Sequence, residues 1–275
     1  MFVPVALAFA WTLFVAIVGR AVQVAQIGEP VALSGRIVAA LVREACARLL
    51  LRALNPLLGH GPPRVERALT AAESRRLPPV ILLGGLTWGP ASLMFLRRFL
   101  VQRGWGWVIS AQRGGPDSTL ATEAEALARL VARARRLSGE DKVDLVGFSA
   151  GGLVAAWYLR HHEEAAGSIR RLVTVATPWR GTRMAVFGHG AAARQVRYGS
   201  HLLDELWPPP VPVVCIYSAD DGIIVPATSA VPESAHHSVC IEDAGHVELL
   251  LSPRSLRAVQ AALEHPLAQS AEAPS

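Results

Sequence analysis

The sequence predicts the α/β fold class: a mostly parallel central sheet flanked by helices, with an N-terminal membrane-anchor helix in front of it. Two observations lead to this prediction. From Val80 onward, short apolar runs alternate with amphipathic or irregular segments, as in a parallel sheet with crossover helices. Residues 1–19 carry no charged side chain, and roughly 20 apolar residues suffice for a helix to cross the hydrocarbon core.

Composition excludes some partners. The net charge of +5 arises near the N-terminus, since residues 1–76 hold nine Arg against four acidic residues, while residues 77–275 balance eighteen against eighteen. The balanced part has no basic run with interleaved aromatics, so we predict no nucleic-acid partner. Cys46, Cys215 and Cys240 lack the spacing of a zinc site or a disulfide framework, and we interpret them as reduced, buried thiols.

Residues 1–28 form the predicted transmembrane anchor. A cleaved signal peptide is the alternative, but no Lys or Arg precedes the apolar run, and Ala8-Phe9-Ala10 comes too early to be a cleavage site. Arginines follow the span and none precedes it, so the positive-inside rule predicts that the rest of the chain lies on the cytoplasmic side.

Residues 29–78 are predicted to be a basic amphipathic helix and a linker. The helix covers Gly35 to Leu54, and its position after an apolar span favours a membrane surface, with a helix packed on the folded domain as the alternative. Its apolar stripe would be Val38, Val42, Cys46, Leu49 and Ala53, with Arg36, Arg43, Arg48 and Arg52 spread over the other face. Residues 55–78 contain four prolines and no sustained period, which is typical of a linker.

Residues 79–265 are predicted to be one folded α/β domain, followed by a disordered tail over residues 266–275. Its expected strands are the runs VILLG, WVISA, VDLVG, LVTVA, VPVVCIY and SVCIE. Its expected helices are Ala91 to Gln102, Leu120 to Arg136, Gly151 to His162 and Pro253 to Leu263. Residues 178–210 interrupt the alternation and are interpreted as a lid or pocket wall.

A serine nucleophile is predicted at a sharp turn. Gly147-Phe148-Ser149-Ala150-Gly151 follows a strand and opens a helix, which is the context of a nucleophile elbow. A phosphate-binding loop is excluded because no GK[ST] follows. A serine hydroxyl is a poor nucleophile at neutral pH, so Ser149 needs an imidazole to take its proton and a carboxylate to orient that imidazole.

The two partners are expected downstream. A strand runs into Asp220-Asp221, and the next strand is followed by His246, which gives the chain order Ser, Asp, His. Neighbouring side chains cannot both point at one imidazole, so we predict Asp221 as the acid and keep Asp220 as the alternative. No histidine cluster has convincing metal-ligand spacing, and no metal site is predicted.

An oxyanion needs at least two preorganised N–H groups. One is expected from Ala150 at the helix start and the other from the loop after the first strand, Gly84-Gly85-Leu86-Thr87. We predict the Leu86 N–H as the second donor; a tight turn without chemistry is the alternative.

Four segments carry a resemblance to a known family: VDLVGFSAGGLVAAWYL, LVTVATPWRGT, CIYSADDGIIVP and DAGHVELLLSP. They resemble the nucleophile elbow, the GTPHxGT strand end, the acid loop and the histidine loop of bacterial triacylglycerol lipases and related esterases of the α/β-hydrolase superfamily. The chain departs from that pattern at Gly84, where such enzymes usually have a histidine.

The resemblance implies an α/β-hydrolase fold, an acyl-serine intermediate released by water, and no cofactor. It implies a carboxylic ester substrate with an apolar or lipid-like acyl group, bound beside Ser149 with contributions from Gly85, Thr87, Phe148, Pro178 and Trp179. With the anchor, it leads us to expect attachment to lipids of a bacterial inner membrane. No obligate protein partner is inferred.

Other functions stay open, among them a halide-using peroxidase and an amidase, since the same triad supports both. The same triad could transfer the acyl group to another acceptor, which would make the chain an acyltransferase. A non-catalytic, membrane-tethered module that binds lipid is the alternative from another class, and the set of Ser149, Asp221 and His246 argues against it.

Overall fold

A seven-stranded sheet forms the centre of the protein. The computed structural model describes residues 35–58, 64–67, 77–86, 91–111, 117–232, 235 and 237–264, together with scattered positions between 10 and 25. The strands are β1 (Arg64–Arg67), β2 (Val80–Leu83), β3 (Trp107–Ala111), β4 (Val143–Phe148), β5 (Ile169–Val175), β6 (Val213–Tyr217) and β7 (His237–Cys240). Their order in the sheet is β1-β3-β2-β4-β5-β6-β7, and every pairing is parallel except that of β1 with β3.

Helices cover both faces of the sheet. They are α1 (Gly35–Leu58), α2 (Met94–Val101), α3 (Leu120–Ser138), α4 (Ala150–His161), α5 (Ala165–Ser168), α6 (Gly190–Gln195), α7 (His201–Asp204) and α8 (Pro253–Glu264). Short 3-10 turns lie at Arg183–Phe187, Ala227–Ala230 and Glu248–Leu250. The predicted mostly parallel sheet flanked by helices is therefore confirmed.

The apolar strand runs are explained by burial on two sides. Alternate residues of a strand point to opposite faces, so Ile81 and Leu83 enter one core cluster with α3 and α4, while Val80 and Leu82 enter the other with α1, α2 and α8. A strand buried on both faces needs continuous apolar sequence, which is why these runs could be recognised.

β1 lies inside the segment that the sequence predicted to be a linker. Its four residues, RVER, pair antiparallel with β3 at the edge of the sheet. Three of the four side chains are charged and the strand is too short to show an alternating pattern, so the pairing depends on backbone hydrogen bonds that a hydropathy pattern does not reveal.

Helix α1 packs on the folded domain, and the face that it buries is not the predicted apolar stripe. Ala47 and Leu51 are buried in the core cluster with α2 and α8. Val42 and Cys46 of the predicted stripe are exposed. The interpretation of all three cysteines as buried is also wrong, since Cys240 is exposed as well and only Cys215 is buried.

The predicted anchor over residues 1–28 lies mostly outside the described residues, as does the predicted tail over residues 266–275. None of the helices in the part of the chain that is described has the length and apolar character required to cross a membrane. Gly19, one of the described positions, lies against the backbone of the acid loop, because a Cβ built there would be 1.9 Å from the carbonyl oxygen of Gly222.

Candidate active site

Ser149 lies at the junction between β4 and α4 in a conformation that few residues adopt. Its φ of 54° and ψ of −129° lie outside the regions allowed to ordinary L residues. Such a backbone persists only where its surroundings impose it, and it occurs preferentially at functional sites. Here the Ser149 N–H donates to the Val175 carbonyl at 2.8 Å, and the Thr177 hydroxyl donates to the Ser149 carbonyl at 2.9 Å.

Glycines on both sides of the serine allow the turn to close. A Cβ on Gly147 would lie 2.4 Å from the Cα of Gly152, and a Cβ on Gly151 would lie 2.4 Å from the carbonyl oxygen of Leu83. Any side chain at these positions would push the start of α4 away from β2 and β4. The small residues of the GFSAGG segment are therefore a packing requirement of this turn.

His246 and Asp221 meet in the interior. The His246 Nδ1 atom lies 2.7 Å from Asp221 Oδ2, and both side chains are only 2% exposed. The other carboxylate oxygen, Oδ1, accepts hydrogen bonds from the backbone N–H groups of Ile223 at 2.7 Å and Ile224 at 3.0 Å. A carboxylate held at both oxygens can fix the orientation and tautomer of the imidazole.

Asp220, the alternative acid, points elsewhere. Its Oδ2 accepts a hydrogen bond from the backbone N–H of Asp243 at 3.1 Å, in the loop that carries His246. Of the two adjacent carboxylates, Asp221 thus contacts the imidazole, while Asp220 contacts the backbone of the histidine loop.

A largely apolar cavity of about 340 Å³ brings several predicted site residues together. Ser149, His246, Ala150, Leu86 and Pro178 all border it. Segment 178–210, predicted as a lid or pocket wall, supplies most of the remaining lining: Thr182, Met184, Ala185, Phe187, Gly188, His189, Ala192, Ala193 and Val196. Ile223 and Ile224 from the acid loop complete the apolar wall.

Three other residues predicted to bind substrate do not border this cavity. Phe148 is buried, and its ring centroid is 4.9 Å from that of His246, so it packs against the imidazole. Trp179 is buried edge-to-face against Trp207 at 4.9 Å. Gly85 is buried, and none of these three borders the cavity. Thr87 lies outside the described residues.

Two cavity residues come from the N-terminal segment, which the sequence assigned to an anchor, a membrane-surface helix and a linker. Val15 and Arg48 both border the cavity beside His246. No periodicity or motif indicates this position, because it depends on how α1 and the preceding segment pack against the domain. A docked helix was the alternative interpretation for α1, and its burial pattern agrees with that alternative.

Among the described residues, no three His, Cys, Asp or Glu side chains lie close enough to hold a metal ion. Burial in the core raises the pKa of the Cys215 thiol. Cys215 lies on β6 within the core and does not border the cavity.

The chain is similar to known proteins mainly in its fold. The family model for the alpha/beta hydrolase fold matches residues 78–199. A Bacillus licheniformis lipase in mature form is 14% identical with a TM-score of 0.64, over 74% of this chain and 99% of that one. An Aspergillus fumigatus lipase is 16% identical with a TM-score of 0.61, over 73% and 56%. A Rhodococcus esterase is 17% identical with a TM-score of 0.50, over 73% and 94%. No curated protein sequence matches significantly.

Proposed function

The chain is a protein of the α/β-hydrolase fold that resembles bacterial lipases and esterases, and we propose that it is a serine hydrolase that cleaves carboxylic esters. Ser149 is the nucleophile, His246 the general base and Asp221 the acid that orients it. The observation that carries the proposal is that a serine at a strained turn borders the same apolar cavity as a histidine whose Nδ1 contacts the buried Asp221. The lipases and esterases with the same fold support this reaction class.

The proposed reaction proceeds in two halves. His246 takes the proton of the Ser149 hydroxyl through Nε2 while the oxygen attacks the ester carbonyl, and Asp221 stabilises the imidazolium that forms. The backbone N–H groups of Ala150 and Leu86 stabilise the oxyanion. The imidazolium protonates the leaving alcohol, and a water molecule activated by His246 then releases the acid from the acyl-serine.

The lining of the cavity supports an apolar acyl group. Its walls are formed largely by Ala, Val, Met, Phe and Ile side chains, so an acyl chain inside gains about 0.8 kcal/mol for each methylene removed from water. A charged acyl group would gain nothing from these apolar side chains and would lose its hydration.

An activity-based probe tests the proposal. A fluorophosphonate reagent is expected to label the wild type and not Ser149→Ala, and the wild type is expected to hydrolyse p-nitrophenyl butyrate. The matched control is Ser110→Ala, because Ser110 is as buried as Ser149, each 8% exposed, but does not border the cavity. Equal labelling of the wild type and Ser149→Ala, or no turnover by the wild type, would reject the proposal.

Product analysis separates hydrolysis from acyl transfer. In water with an added alcohol acceptor, hydrolysis gives free acid as the main product, whereas an acyltransferase gives mainly the new ester. Both activities would depend on Ser149, so the ratio of products decides between them.

Attachment to a membrane through residues 1–28, with the catalytic domain on the cytoplasmic side, belongs to the same proposal. It is supported by the uncharged residues 1–19 and the arginines that follow them. In the membrane-attached protein, Gly19 would contact lipid and no longer the backbone of Gly222. The full chain is expected to stay with membranes after alkaline carbonate washing, and a chain that begins at residue 29 is expected to be released. Release of the full chain would contradict the attachment.

A further inference from the structure

Glu44, on helix α1, binds the backbone beside His246. Its side chain is 5% exposed. Both of its oxygens accept a hydrogen bond from the Val247 N–H, at 3.1 and 2.9 Å, and Oε2 also accepts one from the Glu248 N–H at 3.0 Å. Val247 and Glu248 are the two residues that follow His246, and Glu248 begins a 3-10 turn. A carboxylate from a distant part of the chain therefore satisfies N–H groups that lie at the start of this turn.

The charge of Glu44 is compensated where it is buried. Arg48, one helical turn further along α1, donates from Nε to Glu44 Oε1 at 2.7 Å. A buried carboxylate is costly unless it is paired and hydrogen-bonded, and here it has both an ion pair and backbone donors. The carboxylate is thus held between α1 and the histidine loop, which fixes the distance between these two parts of the chain.

Further contacts join the same two segments. Arg43 donates from Nε to Glu248 Oε1 at 2.7 Å and from Nη2 to the Asp243 carbonyl at 2.5 Å. Gly245 allows the close approach, since a Cβ there would lie 2.5 Å from Glu44 Oε2. Helix α1 consequently contacts the histidine loop at positions on both sides of His246.

We propose that Glu44 is a positioning residue for the proposed general base: it fixes the backbone that carries His246, while Asp221 fixes the imidazole ring. This role rests on the proposed hydrolase function. Asp221 can orient the ring about its side-chain bonds, but the location of the ring also depends on the backbone at residues 245–248. Because a displacement of about 1 Å between reacting groups can cost about 100-fold in rate, a contact that holds this backbone affects the chemical step.

Two substitutions of similar length test the contact. Glu44→Met fills the same space but has no comparable acceptor for the two N–H groups, so kcat is expected to fall by about 10- to 100-fold. KM should change less than kcat, because Glu44 itself does not border the cavity and its contact with the histidine loop acts on the chemical step. Glu44→Gln retains one carbonyl oxygen, which can take the place of Oε2 and accept from both N–H groups. It is therefore expected to recover most of the lost kcat.

Asp144→Asn is the matched control for a purely structural role. Asp144 is a fully buried carboxylate at the start of β4, at the opposite end of the strand from Ser149, and it binds the guanidinium of Arg170. Asp144→Asn is expected to lower the melting temperature. Its kcat, expressed per active site titrated with a fluorophosphonate, should equal that of the wild type. Hydrogen exchange of residues 243–250 gives a readout that needs no activity, and it should accelerate in Glu44→Met and not in Asp144→Asn.

The outcomes separate this inference from the proposed function. If the wild type neither hydrolyses esters nor reacts with the probe at Ser149, the proposed function fails, and faster exchange at residues 243–250 in Glu44→Met would still show that Glu44 holds the loop. If the wild type reacts and Glu44→Met reacts at the same rate, the positioning role is overturned. Equal losses of kcat in Glu44→Gln and Glu44→Met, or in Asp144→Asn and Glu44→Met, would overturn it as well. Glu44→Asp replaces this test if Glu44→Met does not fold, because its carboxylate is shorter by one methylene and reaches the loop less well. A kcat equal to that of the wild type in Glu44→Asp would then overturn the positioning role.

Discussion

The Nδ1 atom of His246 lies 2.7 Å from Oδ2 of Asp221, across 25 residues of sequence and inside the protein. The acid reaches this position because its other oxygen accepts hydrogen bonds from the N–H groups of Ile223 and Ile224. The arrangement leaves the opposite side of the imidazole for the cavity, which Ser149 also borders.

Exchange of the two adjacent acids for their amides should have very different effects. Asp221→Asn is expected to lower kcat by about 10³- to 10⁴-fold, because the amide no longer stabilises the imidazolium or selects its tautomer. Asp220→Asn is the matched control and should cost only about fivefold, because it weakens a hydrogen bond of about 1 kcal/mol from the Asp243 N–H and leaves the contact between Asp221 and His246 intact. Steady-state kinetics with p-nitrophenyl butyrate measure both. A larger loss in Asp220→Asn would show that the acids have been assigned in the wrong order.

The tight contact at Gly151 should be visible in stability. Gly151→Ala places a Cβ 2.4 Å from the Leu83 carbonyl oxygen, and overpacking of this kind costs about 1–3 kcal/mol. Gly167→Ala is the matched control, since a Cβ there meets nothing within 4 Å. Thermal unfolding should show a lower melting temperature for Gly151→Ala and an unchanged or slightly higher one for Gly167→Ala. Equal melting temperatures would mean that α4 does not approach β2 as closely as described.

The cavity should set the preferred acyl length. In the wild type, kcat/KM is expected to rise by up to about fourfold per methylene until the cavity is full. Ala192→Phe occupies part of the cavity, so its preference should move to shorter acyl chains. Val186→Phe is the control, because Val186 is in the same segment but 62% exposed and not in the cavity wall. An unchanged chain-length profile in Ala192→Phe would show that the acyl group binds elsewhere.

The three cysteines should differ in reactivity. A thiol reacts as its thiolate, and burial raises the pKa of Cys215, so at pH 8 this thiol is both shielded and more fully protonated than an ordinary one. Cys46 and Cys240, which are exposed, should react quickly with a disulfide reagent in the native protein, and Cys215 only after denaturation. The fast phase should be unchanged in Cys215→Ala. Rapid reaction of all three thiols would contradict the burial of Cys215.

The tightly held proton of Cys215 also gives the sign of its effect on stability. Its pKa is raised in the folded protein, so the folded state keeps the proton at a pH where the unfolded chain loses it. The resulting stability is complete below the ordinary thiol pKa of 9.0 and is lost as the pH rises through the raised value. Cys215→Ala should accordingly show a shallower loss of melting temperature between neutral and alkaline pH than the wild type.

Sequence patterns predicted the parallel strands of the core, but they did not predict the edge strand β1 or the packed face of helix α1. The strands β2 to β6 contain short apolar runs because most of their residues are buried, and a strand that is buried on both faces needs apolar sequence. β1 has no such apolar run, because backbone pairing with β3 at the edge of the sheet requires no particular side chains. The packed face of α1 was missed since Glu44, at its centre, is an acid that an amphipathic pattern assigns to solvent.

By itself, the sequence determined the fold class and the residues that local geometry requires: the small residues around Ser149, and the order of serine, acid and histidine after successive strands. Tertiary structure alone decided which of Asp220 and Asp221 meets His246, which residues line the cavity, and that Glu44 binds the histidine loop. The reason is the distance along the sequence between the residues that interact. A turn or a buried strand is specified by neighbours within a few residues, whereas a contact across 203 residues between Glu44 and Val247 exists only after the chain has packed.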